Sequence, residues 1–124
     1  HWDAIVLPGG MPGAEHLGDC AALIALLRQQ MAADRVVGAI CAAPAVVLAR
    51  HGLLQGRKAT AFPGFDEALQ QGGAQLILGD VVTDQHLVTS RGPATAMAFA
   101  LQLVRQLAGD AKAMQVAKAL LFMP

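Results

Sequence analysis

Short, unbroken apolar runs alternate along this chain with stretches in which apolar positions recur every three or four residues. Ala4-Ile5-Val6-Leu7 is such a run and stops at Pro8-Gly9-Gly10, which predicts a buried, central strand ending in a tight turn. Asp19 is placed to cap a helix reaching about Ala33, with Leu23, Leu26 and Leu27 on one face. Val36–Ile40 predicts a second buried strand, and Ala42 to about Arg50 a helix stopped at Gly52. Lys58–Ala61 is a third short strand, followed by a short helix around Asp66–Gln71 that Gly64 opens and Gly72-Gly73 ends. Gln75–Leu78, Val81–Thr83 and His86–Thr89 read as strands, the last two joined by a turn at Asp84-Gln85. Pro93 suits the first turn of a long helix to about Leu107, and Gly109-Asp110 separates it from a last helix, Ala111 to about Leu121. Strands alternating with helices predict one α/β domain over residues 1–124, a mostly parallel sheet between two helix layers. Ligands of such sheets sit outside the carboxyl ends of the strands. That rule singles out Pro8-Gly9-Gly10 and the junction after Ile40.

Composition narrows the partners. Hydrophobic residues make up 55% of the 124 and charged ones 15%, the opposite of a disordered chain. Nine Lys and Arg balance nine Asp and Glu, without the basic excess of a nucleic-acid binder. The longest apolar run, Val36 to Ala49, is broken by Gly38 and Pro44 and falls short of the roughly 18–20 residues that span a bilayer. No nucleic-acid or membrane partner is therefore expected. Two cysteines, Cys20 and Cys41, are too few for a disulfide scaffold and point to a reducing, cytoplasmic setting. The four histidines lack a metal-binding spacing such as i, i+4 on one helix, so no metal is expected. His1-Trp2-Asp3 leads into a strand without preamble, as if the chain started inside a larger domain.

Candidate chemistry lies in Gly38-Ala39-Ile40-Cys41-Ala42-Ala43-Pro44. A cysteine stands where a buried strand stops and a helix begins, between residues without bulk. A nucleophile elbow has this form, because only small neighbours fit the sharp turn that lifts the nucleophile out of the sheet. The helix start would place free N–H groups and a positive dipole end beside the sulfur, and both favour thiolate. Spacing alone leaves a buried structural cysteine equally open. Gly9 and Gly10 allow a close backbone approach, and the Gly10 and Ala42 N–H groups together could form an oxyanion hole over Cys41. A plain turn is the alternative for Pro8-Gly9-Gly10.

Three segments together carry a resemblance. Val6-Leu7-Pro8-Gly9-Gly10 with Gly13-Ala14 and Leu17, then Ala39-Ile40-Cys41-Ala42-Ala43-Pro44, then Thr89-Ser90-Arg91-Gly92-Pro93 with Thr95, are similar in kind and order to the DJ-1/ThiJ/PfpI superfamily. The resemblance implies a flavodoxin-like three-layer sandwich whose first strands precede this chain. It implies Cys41 as the nucleophile, flanked by Gly9, Pro44 and Phe62, in a cofactor-free homodimer with the site near the interface. Its members include glyoxalases, deglycases acting on methylglyoxal adducts, peroxide-sensing chaperones and proteases, and older names refer to thiamine precursors. A small carbonyl substrate such as methylglyoxal, or its adduct on protein or nucleotide, is the leading expectation. A redox sensor with Cys41 oxidised to sulfinate is the alternative, and a regulator domain a further one. Protease-like branches carry His after the nucleophile, where this chain has Ala42. Phe62 stands where part of the superfamily has a His before proline, so no imidazole base comes from there. The superfamily's acid/base Glu falls in a segment upstream of His1, so this span by itself is expected to lack it.

The remaining polar residues read as supporting structure. Glu15 and His16 fall in the loop after the Gly-Gly turn, solvated or catalytic. His51 ends a helix, His86 belongs to the hairpin, and Cys20 opens a helix. Arg91 either binds an anion at the Pro93 helix or forms a loop salt bridge. Met97, Met114 and Met123 read as core or interface packing.

Overall fold

The structure is a computed structural model and describes residues 2–123; His1 lies outside them. Four strands form the main sheet: β1 (Ala4–Leu7), β2 (Val36–Ile40), β5 (Val81–Asp84) and β6 (Leu87–Ser90), in the order β1-β2-β6-β5. β1 and β2 pair in parallel, as do β2 and β6, whereas β5 and β6 form an antiparallel hairpin. The helices are α1 (Gly13–Gly18), α2 (Ala21–Ala32), α3 (Asp66–Gln71), α4 (Ala96–Ala108) and α5 (Asp110–Ala119).

Side chains on β2 alternate between the two helix layers, as strand geometry requires. Gly38 faces α4, where an added Cβ would come within 3.0 Å of Leu103 and 3.1 Å of Phe99. Val37 and Ala39 point the other way, into a core with Ile24 and Leu27 of α2 and with Val47 and Leu48. The result is the three-layer α/β sandwich with a mostly parallel sheet that the alternation of elements implied.

Several local expectations are corrected. β1 lies at one end of the sheet rather than in its centre, because among the described residues only β2 pairs with it, and Val6 is exposed. Gly13–Gly18 is a helix, so Glu15 and His16 are not in a loop. Its two glycines mask it locally; it is held by packing, with Gly18 so close to Val46 that an added Cβ would stand 2.3 Å from the Val46 carbonyl oxygen. Asp19 does not cap α2, which starts after Cys20, because Arg50 holds the Asp19 carboxylate at 2.7 Å. The segment after Cys41 winds as a π-turn over Pro44–Leu48 and a 3-10 turn over Ala49–His51, not as a regular α-helix. β-branched Val46 and Val47 disfavour α-winding, and close contacts at Gly18 and Gly72 fix the path instead. Gly52 ends the segment with φ 73°.

β3 is only Lys58–Ala59 and pairs with β4, Gln75–Leu76, as a separate two-stranded sheet. It stops early because the Thr60 N–H donates to Thr89 Oγ1 (3.0 Å) and the Phe62 N–H to the Cys41 carbonyl (2.8 Å). Met97, Met114 and Met123 are exposed in this chain, so they do not belong to its core.

Asp84 ties the small sheet to the hairpin. Its carboxylate accepts from the Lys58 N–H (2.9 Å) and Arg57 Nε (3.2 Å), while Arg57 Nη2 donates to its carbonyl (2.8 Å). The Lys58 amide first, and the Arg57 guanidinium with it, hold this carboxyl below the ordinary 3.8 against the opposing effect of burial. A lowered folded value means stability that is present above the unfolded value and lost as pH falls through the folded one. Asp84→Asn is expected to lower stability by about 1 kcal/mol at neutral pH. In urea titrations the gap to wild type should narrow as pH falls through the ordinary 3.8 and below it; a gap independent of pH would exclude the charge as its cause.

Candidate active site around Cys41

The end of β2 is clamped on both sides. The Cys41 N–H donates to the Ser90 carbonyl at 3.0 Å, extending the β2–β6 pairing by one residue. The Cys41 carbonyl then accepts from the Phe62 N–H. Between these bonds the backbone of Cys41 is left-handed, φ 66°. A residue with a Cβ rarely adopts that conformation, and the surrounding bonds hold it there. The strand-to-helix junction is therefore an elbow, with a half-buried thiol on it and the buried residues Ala42, Ala43 and Pro44 following.

Gly9 is needed by the cysteine itself. A Cβ on Gly9 would lie 2.5 Å from Cys41 Cβ, 3.0 Å from the Ile40 carbonyl oxygen and 3.4 Å from Cys41 Sγ. Gly10 follows with φ 87°, and its carbonyl accepts the Ala14 N–H at 2.8 Å to start α1. Among the described residues, neither the Gly10 nor the Ala42 N–H donates a backbone hydrogen bond. The fold thus brings the Pro8-Gly9-Gly10 turn against Cys41 and leaves the Gly10 and Ala42 N–H groups without backbone partners among the described residues.

The other named residues stand apart or in support. Glu15 and His16 are exposed on α1, and Cys20 is exposed at the start of α2. His51 Nε2 lies 2.7 Å from the Gly18 carbonyl and His86 Nδ1 3.1 Å from Asp34, both structural links. Arg91 forms a loop bridge: Nε donates to the Ala61 carbonyl (3.0 Å) and Nη2 lies 3.6 Å from Asp66.

Sequence reasoning did not recognise the support beneath the elbow. Ser90 Oγ donates to the Asp80 carbonyl at 2.6 Å and lies 2.6 Å from Thr95 Oγ1, which in turn accepts the Gly92 N–H. This network fixes the β6 end that grips Cys41. Its signal was the Thr89-Ser90-Arg91-Gly92-Pro93 run with Thr95, read only as a likeness.

A DJ-1/PfpI family model matches residues 1–106. The chain belongs to the DJ-1/PfpI family. It is 44% identical over 123 residues to protein DJ-1 homolog A of Arabidopsis thaliana, covering 99% of this chain and 31% of that protein. It is 37% identical to glutathione-independent glyoxalase DJR-1.2 of Caenorhabditis elegans, covering 96% of this chain and 62% of that one. The solved structure of Toxoplasma gondii DJ-1, oxidized, superposes with a TM-score of 0.93 at 44% identity, covering 100% of this chain and 66% of that chain. The chain thus spans less than two thirds of these relatives.

Proposed function

We propose that the protein containing this chain is a cysteine-dependent glyoxalase or deglycase acting on methylglyoxal or its adducts, with Cys41 as nucleophile. The observation that carries this reading is the left-handed Cys41 at the carboxyl end of β2, packed against Gly9 of a turn whose Gly10 N–H, like the Ala42 N–H, has no backbone partner among the described residues. The worm relative named a glutathione-independent glyoxalase supports the same class. The thiolate adds to the aldehyde carbon, a C–S bond forms, and the carbonyl pair moves to oxygen. The Gly10 and Ala42 N–H groups hold that oxyanion. A proton then passes from the former aldehyde carbon to its neighbour through a base, the first carbon being oxidised as the second is reduced. Water cleaves the resulting thioester and releases lactate and the thiol. The redox change is internal to the substrate, so the balance calls for water and no cofactor. Glu15 and His16 are exposed on α1, and the base is proposed to be the superfamily's Glu. The reading includes a homodimer.

The test is lactate formation from methylglyoxal by the full-length protein without glutathione, together with alkylation of its thiols. Iodoacetamide should label half-buried Cys41 faster than exposed Cys20, against the order that exposure alone sets. Faster labelling of Cys20, or lactate formation that survives Cys41→Ser, would sink the reading.

The neighbour solved in an oxidized state favours a second reading for the same thiol. A peroxide transfers oxygen to the Cys41 thiolate in two steps, giving sulfenate and then sulfinate, each with release of water or alcohol. The same two donors would stabilise the sulfinate. Peroxide-dependent chaperone activity without methylglyoxal turnover would select this role.

A further inference from the structure

Phe62 is a large apolar side chain left 44% exposed beside the elbow. Its backbone has little freedom. Its N–H is bonded to the Cys41 carbonyl, Arg91 grips the carbonyl of Ala61 before it, and Pro63 opens a 3-10 turn after it. The ring edge runs along Gly92, where an added Cβ would stand 3.5 Å from Cδ1 and 3.8 Å from Cε1. Gly92 follows Ser90, the residue whose carbonyl holds the Cys41 N–H, by two positions. The ring therefore lies along the carboxyl ends of β2 and β6, the rim from which a ligand approaches the sulfur.

We propose that Phe62 is a specificity-determining residue: its ring forms an aromatic wall that favours electrophilic carbonyl compounds bearing an aryl or other flat apolar substituent over those bearing only a methyl group. This rests on the reading of Cys41 as the nucleophile. The clamps fix the backbone that carries the ring, and the ring lies along Gly92, so the wall stands at the rim before ligand arrives. A stacked aromatic pair gains attraction beyond the area it buries. A ring is also chemically inert here: it neither donates nor accepts the proton of the reaction, so its contribution goes to binding the substituent.

The test uses two irreversible probes of the full-length protein, 2-bromoacetophenone and bromoacetone, with Cys41 adducts read by peptide mass. Both alkylate a thiolate by displacing bromide and differ only in phenyl against methyl. Wild type should prefer the aryl probe, after correction for the intrinsic reactivities measured on a free thiol. Phe62→Ala should reduce that preference about ten-fold, and Phe62→Leu, which keeps an apolar side chain in the same place, less. The rate with bromoacetone should fall less than the rate with the aryl probe in both variants, and Gly13→Ala, where nothing lies within 4 Å of the added Cβ, should change neither rate. An unchanged preference in both variants overturns the proposal, and so does an equal loss with both probes. A shift in oligomeric size on Phe62→Ala with no change in preference overturns it too, assigning the ring to a contact with a second copy. Methylglyoxal turnover is measured in parallel: turnover without aryl preference overturns this inference alone, whereas preference without turnover overturns the glyoxalase reading alone.

Discussion

Cys41→Gly is expected to abolish methylglyoxal turnover in the full-length protein and, at the same time, to leave a more stable fold than Cys41→Ala. Both variants lose the proposed nucleophile, and turnover should fall by more than about 10³-fold in each. They differ in strain. At φ 66° a residue with a Cβ sits in a conformation that costs on the order of 1–2 kcal/mol. Alanine keeps that Cβ, whereas glycine takes the angle freely and gives back a part through its looser unfolded state. The net expectation is that the Gly variant exceeds the Ala variant by roughly 1 kcal/mol, read as a difference in denaturation midpoints. Such strain persists only where surrounding structure enforces it, here the bonds to Ser90 and Phe62. Equal or reversed stabilities would mean that the elbow is relaxed and that its angle says nothing about function.

Gly9→Ala should be the most damaging change that leaves every candidate reacting group in place. The new methyl would arrive 2.5 Å from Cys41 Cβ and 3.0 Å from the Ile40 carbonyl oxygen. Neither is the free end of a flexible side chain, so the elbow or the Pro8-Gly9 turn has to move. A displacement of about 1 Å at a reacting group can cost about 10²-fold in rate, and overpacking typically costs about 1–3 kcal/mol in stability. Turnover and Cys41 alkylation should therefore fall together by about two orders of magnitude. Gly13→Ala is the control, because nothing lies within 4 Å of its added Cβ and its φ is ordinary. If Gly9→Ala behaves like Gly13→Ala, the Pro8-Gly9-Gly10 turn is a turn and no part of the site.

The elbow, the glycine turn and the order of strands and helices were legible in the sequence because their signals are local. Ala4–Leu7 and Val36–Ile40 are apolar runs that end at turn-forming or small residues, and that pattern is enough to place two strands and the cysteine at the end of the second, although only the second is buried along its length. What the local signals left open was settled by partners far away along the chain. Asp19 has the chemistry of a helix cap, yet Arg50 takes its carboxylate. Lys58–Ala61 has the composition of a longer strand, yet Thr89 and Cys41 capture the amides that would have continued it. Glycine-bounded α1 has poor helix propensity and forms because Gly18 lets it settle against Val46. The same holds at the site. By itself the sequence determined that a cysteine stands at a strand-to-helix junction among small residues. Only the tertiary structure decided that its backbone is held left-handed between Ser90 and Phe62, with Gly9 against its Cβ and a half-exposed ring beside it. Backbone clamps and close approaches of this kind join residues remote in sequence, and no periodicity within a single segment encodes them.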